Sequence, residues 1–124
     1  MPLAIPETPP CVLCLSAGDA TAGGGLAADI LTLASMGCHP LPVQTAALVR
    51  DTRGIDELWP VAPELIAMQA RAVLEDVPVA AFKLGQLRGA VDAQHLDLVF
   101  RLGGHHAHAF GLGHGHHVGQ VVLA

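Results

Sequence analysis

The sequence predicts a layered α/β fold in which a mainly parallel sheet lies between helices. Short apolar runs alternate with helical repeats of roughly a dozen residues, the pattern of successive βαβ units. The chain is 52% hydrophobic and 14% charged, against about 25% charged in typical soluble domains. Strands in such a chain are covered on both faces, or an apolar surface is left for a partner to cover. Third, the cluster Gly23-Gly24-Gly25 separates the first apolar run from the first helical repeat. With 124 residues there is room for one domain.

Residues 1–10 hold Pro2, Pro6, Pro9 and Pro10 and read as an extended leader, because proline lacks the donor that helices and inner strands need. Residues 11–16 are the first buried strand. After the glycine loop, Leu26, Ile30, Leu31, Leu33 and Ala34 set a helix over 25–36 that Gly37 stops. Residues 39–49 are the second strand, with Pro40 and Pro42 confining its start to an edge or entry position. A polar turn over 50–54 leads to a short extended stretch, 55–61, with the single Trp59. Pro63 and Glu64 open a helix over 63–76, whose face is read as Leu65, Met68, Gln69, Ala72 and Val73. Met68 is taken as core at that spacing. Residues 77–84 are the third main strand, followed by Gly85. A helix over 89–101 and a terminal strand over 118–124 complete the pattern.

Strand, glycine loop and helix in that order aim backbone N–H groups and the positive end of a helix dipole at the loop. Asp19 and Asp29 put carboxylates on either side of the turn. The loop fits neither the dinucleotide fingerprint nor the Walker A pattern, having no Lys-Ser/Thr after its glycines. On these residues alone it is equally a plain flexible turn. In a parallel sheet, ligands bind beyond the carboxyl ends of the strands. The loops after Ser16, Val49 and Leu84 then share one edge, bringing Asp19, Asp29, Arg50 and Gln86 within reach of one small ligand.

The net charge is −5 and the six Lys and Arg residues are scattered, which argues against a nucleic-acid partner. No apolar run reaches the roughly 18 residues of a membrane span. Cys11, Cys14 and Cys38 are odd in number and follow no secretory signal, so the cytoplasm is the expected compartment. Cys11 and Cys14 form a C-x-x-C, but in a strand their side chains point to opposite faces, and both are read as core.

Four spaced motifs carry a resemblance. They are Asp19-x-Thr21-x-Gly23-x-Gly25-Leu-x-Ala-Asp29, Leu33-Ala-Ser-Met-Gly-Cys-His-Pro-Leu41, Asp51-Thr-Arg-Gly54 and Leu74-Glu-Asp-Val-Pro-Val-Ala-Ala-Phe-Lys-Leu-Gly85. In order and without gaps, they resemble hydroxymethylpyrimidine/phosphomethylpyrimidine kinase of thiamine biosynthesis, a member of the ribokinase-like superfamily. The resemblance implies part of a three-layer α/β/α fold over residues 11–86. It implies phosphorylation of 4-amino-5-hydroxymethyl-2-methylpyrimidine and its monophosphate by ATP with magnesium (Mg2+), in a homodimer. It makes Asp29 a substrate-binding aspartate and places Ala17 and Gly24 against the pyrimidine. Asp19 stands in the loop motif, where the family usually has Gly-Ser/Thr-Asp and this chain has Ala17-Gly18-Asp19. Further departures fall at Ala22 and Gly24, at Arg50 where the family has a glutamine that pairs with the pyrimidine edge, and at Gln86 where it has a methionine. Arginine accepts no hydrogen bond, so part of that edge readout is lost.

Residues 87–124 do not match the family motifs and are rich in His and Gly from 103 onward. The expected anion hole and catalytic base have no counterpart there, so the 124 residues read as a truncated or degenerate form that is inactive alone. Six of the eight histidines, His105, His106, His108, His114, His116 and His117, fall in this tail. Three readings stand: a tract handling Ni2+, Cu2+ or Zn2+; a disordered tail that picks up metal adventitiously; and translation out of frame, the favoured one. A small metal-binding protein acting through the tail is the alternative to the kinase.

Overall fold

The structure, a computed structural model, describes residues 7–85 and 120–123. Seven elements follow in order: β1 (Cys11–Asp19), α1 (Gly25–Ser35), β2 (His39–Arg50), β3 (Ile55–Pro60), α2 (Pro63–Asp76), β4 (Ala81–Leu84) and β5 (Gln120–Leu123). They build one five-stranded sheet in the order β3-β2-β1-β4-β5. The three inner strands are parallel, with β1 pairing β2 on one side and β4 on the other. The two outer strands run antiparallel to their neighbours. The expected α/β fold with a mainly parallel sheet is therefore present.

Alternation along the strands explains the layers. On one face of the sheet, Leu13, Leu15, Val43 and Phe82 pack with Ile66 and Ala70 of α2. On the other, Val12, Cys14 and Ala81 pack with Leu26 of α1. The chain leaves β1 toward β2 and returns past β1 to β4, so its two crossovers run in opposite directions. Right-handed crossovers of opposite direction put their helices on opposite faces. The strand order reverses at β1, and its carboxyl end is the switch point where ligands bind in open α/β sheets.

Boundaries shift where backbone bonding overrides composition. β1 runs past Ser16 to Asp19 because β2 continues beside it, with Gly18 opposite Ala47 and Asp19 opposite Leu48 after an irregularity at Ser16/Ala17. The third main strand begins at Ala81, not at residue 77. Val77 is still bonded back to Val73 at the end of α2, and Pro78 has no N–H to give a ladder. Pro40 and Pro42 sit in the part of β2 that β3 does not cover, since β3 pairs only from Ala46 to Arg50. The N–H of His39 bonds to Pro10 on the β1 side, so the two prolines, by alternation, fall on the open side, where no donor is needed. The helix expected over 89–101 lies outside the described residues.

The helix faces need correction. Leu65 and Met68 are exposed, Met68 at 67%, and the buried line of α2 is Ile66 and Ala70 with Val73 and Leu74 beside them. The same i, i+4, i+7 spacing read one residue later gives the true face. In α1 the buried residues are Leu26 and Asp29, and Leu31 is exposed. A reading of apolar positions alone passes over that aspartate. Among the described residues no helix is long and apolar enough to cross a membrane. Ile66→Ala should cost about 3 kcal/mol in urea unfolding, whereas Met68→Ala should stay within about 0.5 kcal/mol.

Candidate functional site

The carboxyl end of β1 bends sharply into α1. Asp19 Oδ1 accepts the N–H of Thr21 at 2.9 Å and its hydroxyl at 2.8 Å. Thr21 Oγ1 in turn accepts the N–H of Gly23 at 3.2 Å, and Ala22 N–H donates to Asp19 O at 3.0 Å. The loop is thus wound on one aspartate and one threonine. Gly25 lies at φ +61°, and a Cβ there would stand 2.2 Å from the carbonyl oxygen of Ala17. Only glycine permits that approach. Ala22 also takes a left-handed conformation, at φ 58°. The Thr21 hydroxyl, then the Thr21 N–H, hold the Asp19 carboxyl below its ordinary value, with a smaller contribution from the Arg50 charge. Arg50, at the end of β2, has its Nε 3.8 Å from Asp19 Oδ1.

One turn into α1, Asp29 faces the sheet and is 6% exposed. Its Oδ1 accepts a hydrogen bond from Nζ of Lys83, a contact joining α1 to β4. Its Oδ2 is buried and has no hydrogen-bond partner among the described residues. Cys14 stands opposite Lys83 in the β1–β4 ladder. Burial, and then the Asp29 charge, push the Cys14 thiol up to about 11, so it stays protonated and inert. At the end of β4, the Gly85 N–H bonds to Leu15 O at 2.7 Å, and a Cβ on Gly85 would stand 2.3 Å from Ser16 Oγ.

The structure therefore brings Asp19 and Arg50 together, and places Gly24 beside them, where a Cβ would lie 3.7 Å from Asp19 Oδ2. Ala17 is buried in β1, under the loop. Asp29 is held separately, by Lys83. Gln86 and the six tail histidines, His105, His106, His108, His114, His116 and His117, lie outside the described residues. Sequence reasoning met Thr21 and Lys83 only as members of the motifs and gave neither a role. Lys83 carried a signal, as the one charged residue in an otherwise apolar strand, where burial demands a partner.

Among the described residues no group of three or more His, Cys, Asp or Glu could hold a metal ion. The polar groups at this sheet edge are the loop-bound Asp19, the buried Asp29 and two cations, Arg50 and Lys83.

A sheet of this order with a glycine loop at the end of its central strand is a fold shared with solved kinases. A phosphomethylpyrimidine kinase from Clostridium difficile superposes with a TM-score of 0.72 at 24% identity, over 77% of this chain and 42% of that one. A pyridoxal kinase from Bacillus subtilis superposes with a TM-score of 0.71 at 17% identity, over 79% of this chain and 38% of that one. Within that class the assignment is narrower: the chain belongs to the phosphomethylpyrimidine kinase family, whose model matches residues 19–103. The hydroxymethylpyrimidine/phosphomethylpyrimidine kinase of Streptomyces coelicolor is 36% identical over 85 residues, 68% of this chain and 32% of that protein. That of Mycobacterium tuberculosis is 39% identical over 88 residues, 70% of this chain and 32% of that protein. The chain spans about a third of the length of these curated relatives.

Two outcomes follow for the loop. Ala22→Gly should stabilise the chain by about 0.5 kcal/mol, since relief of a left-handed alanine exceeds the entropy glycine adds to the unfolded chain; urea unfolding reads it. Asp19 has a folded value below its unfolded one, so its contribution is present above the unfolded value and lost as pH falls through the folded one. Asp19→Asn should lower Tm near neutral pH, and the difference from the unsubstituted chain should close in strong acid.

Proposed function

We propose that this chain forms the pyrimidine-binding part of a hydroxymethylpyrimidine/phosphomethylpyrimidine kinase acting in thiamine biosynthesis, in the cytoplasm. The observation that carries the reading is the glycine loop at the switch point of the sheet, followed one turn later by a buried carboxylate with an unused oxygen. An aminopyrimidine is a flat ring with donors and acceptors in its plane. A fixed carboxylate orients such a ring by accepting from its amino group. ATP is the phosphoryl donor in this reading. A pyridoxal kinase from Staphylococcus aureus, solved in complex with AMP-PCP, superposes with a TM-score of 0.66 at 22% identity. Magnesium belongs to the same reading.

A homodimer is part of the proposal. All six residues of β3 are exposed, Trp59 at 64%, and β3 is an outermost strand of the sheet with one edge unpaired among the described residues. An exposed apolar edge strand is a template for a second copy.

Isothermal titration with 4-amino-5-hydroxymethyl-2-methylpyrimidine tests the binding role. Saturable binding that Asp29→Asn weakens about tenfold, roughly the value of one hydrogen bond to a charged group, is the expected result. No binding by the unsubstituted chain would overturn the reading.

A further inference from the structure

We propose that Lys83 is a positioning residue for ligand recognition. Its ammonium fixes Oδ1 of Asp29, so that Oδ2 is held in one direction and left unshared for a hydrogen-bond donor on the ligand. The inference rests on the reading of Asp29 as a pyrimidine-binding residue and adds how that carboxylate is set.

A buried carboxylate is costly unless its oxygens are satisfied. Here one oxygen is satisfied by a cation from a different element and the other by nothing among the described residues. The arrangement is asymmetric for a structural reason. Asp29 has no basic neighbour within α1, since none of the residues from Gly25 to Ser35 is Lys, Arg or His. Lys83 reaches it from β4, whose Cα register puts Lys83 opposite Cys14 on the face that α1 covers. The Cys14 thiol is protonated and presents no charge to draw the ammonium away. Arg50, the other cation at this sheet edge, is engaged by Asp19 and by the Asp51 carbonyl. One lysine and one aspartate are therefore committed to each other, and the side chain of Lys83 is itself only 24% exposed.

The consequence is selectivity for a donor. A carboxylate free to rotate offers either oxygen to water, ammonium or amide alike. Clamped at Oδ1, it presents a single acceptor whose direction is set by the sheet. An exocyclic amino group on a planar ring satisfies such an acceptor, and the same ring without the amino group leaves it unpaired, which is the stronger penalty. The ligand class is thus an amino-substituted heteroaromatic ring, and Lys83 governs discrimination without touching it.

The experiment is isothermal titration of two probes, 4-amino-5-hydroxymethyl-2-methylpyrimidine and 5-hydroxymethyl-2-methylpyrimidine, against the unsubstituted chain, Lys83→Met and Lys83→Arg. Urea unfolding in parallel identifies which variants fold, and Lys83→Gln replaces Lys83→Met if the latter does not. The unsubstituted chain should prefer the amino probe at least about tenfold, the value of one unpaired buried acceptor. Lys83→Met should lose that preference and Lys83→Arg should retain it. A uniformly weakened protein would lose affinity for both probes and keep the ratio. If Lys83→Met keeps the tenfold preference, this inference is overturned and the pyrimidine-binding reading stands. If the unsubstituted chain binds neither probe, the pyrimidine-binding reading falls and the inference falls with it.

Discussion

No side chain fits between Gly25 and the carbonyl of Ala17, and the carboxyl end of the sheet depends on that close approach. The chain turns from β1 into α1 within five residues because the backbone can lie directly on the strand it has just left. That fixes where α1 begins. Its first buried residue, Leu26, then falls on the Val12–Cys14 face, and Asp29, three residues on, falls on the same face. The position of Asp29 over the β1–β4 ladder follows, and with it the reach of Lys83. Winding of the loop around Asp19 and Thr21 holds the approach in place, since the Thr21 N–H and hydroxyl and the Gly23 N–H are all spoken for.

Much of the fold was legible in the sequence. Pro63 and Glu64 marked the start of α2, and Gly37 the end of α1, because these residues act through their own backbone chemistry. The parallel pairing of β1 with β2 and β4 followed from helices between apolar strands. Faces were less legible. In α2, apolar residues at 65, 66, 67, 68, 70, 72, 73 and 74 support two overlapping stripes, and only the packing of Ile66 against Leu13 and Phe82 selects one. In α1 the stripe contains an aspartate, which no count of apolar residues reveals. The geometry of the candidate site was half legible. Asp19, Asp29 and the glycines are visible by position, whereas the partner of Asp29 lies 54 residues away and is set by strand register.

The departures from the family pattern have different physical weights. Ala22 is a backbone matter: it takes φ 58° without glycine's freedom and stores strain in the loop. Arg50 is a chemical matter. It brings a cation to Asp19 and a set of donors to a place where the resemblance has an amide. Neither alters the Asp29–Lys83 pair, which lies on α1 and β4 rather than in the loop or at the end of β2. The proposed orientation of a ring by Asp29 accordingly rests on a pair that these departures leave intact.

The most direct measurement is nuclear magnetic resonance of the 15N-labelled chain during addition of 4-amino-5-hydroxymethyl-2-methylpyrimidine. Saturable amide shifts are expected between Gly18 and Asp29 and again at Lys83 to Gly85, with the rest of the sheet little changed. Shifts confined to the outer face of α2 or to β3, or no shifts at all, would contradict it.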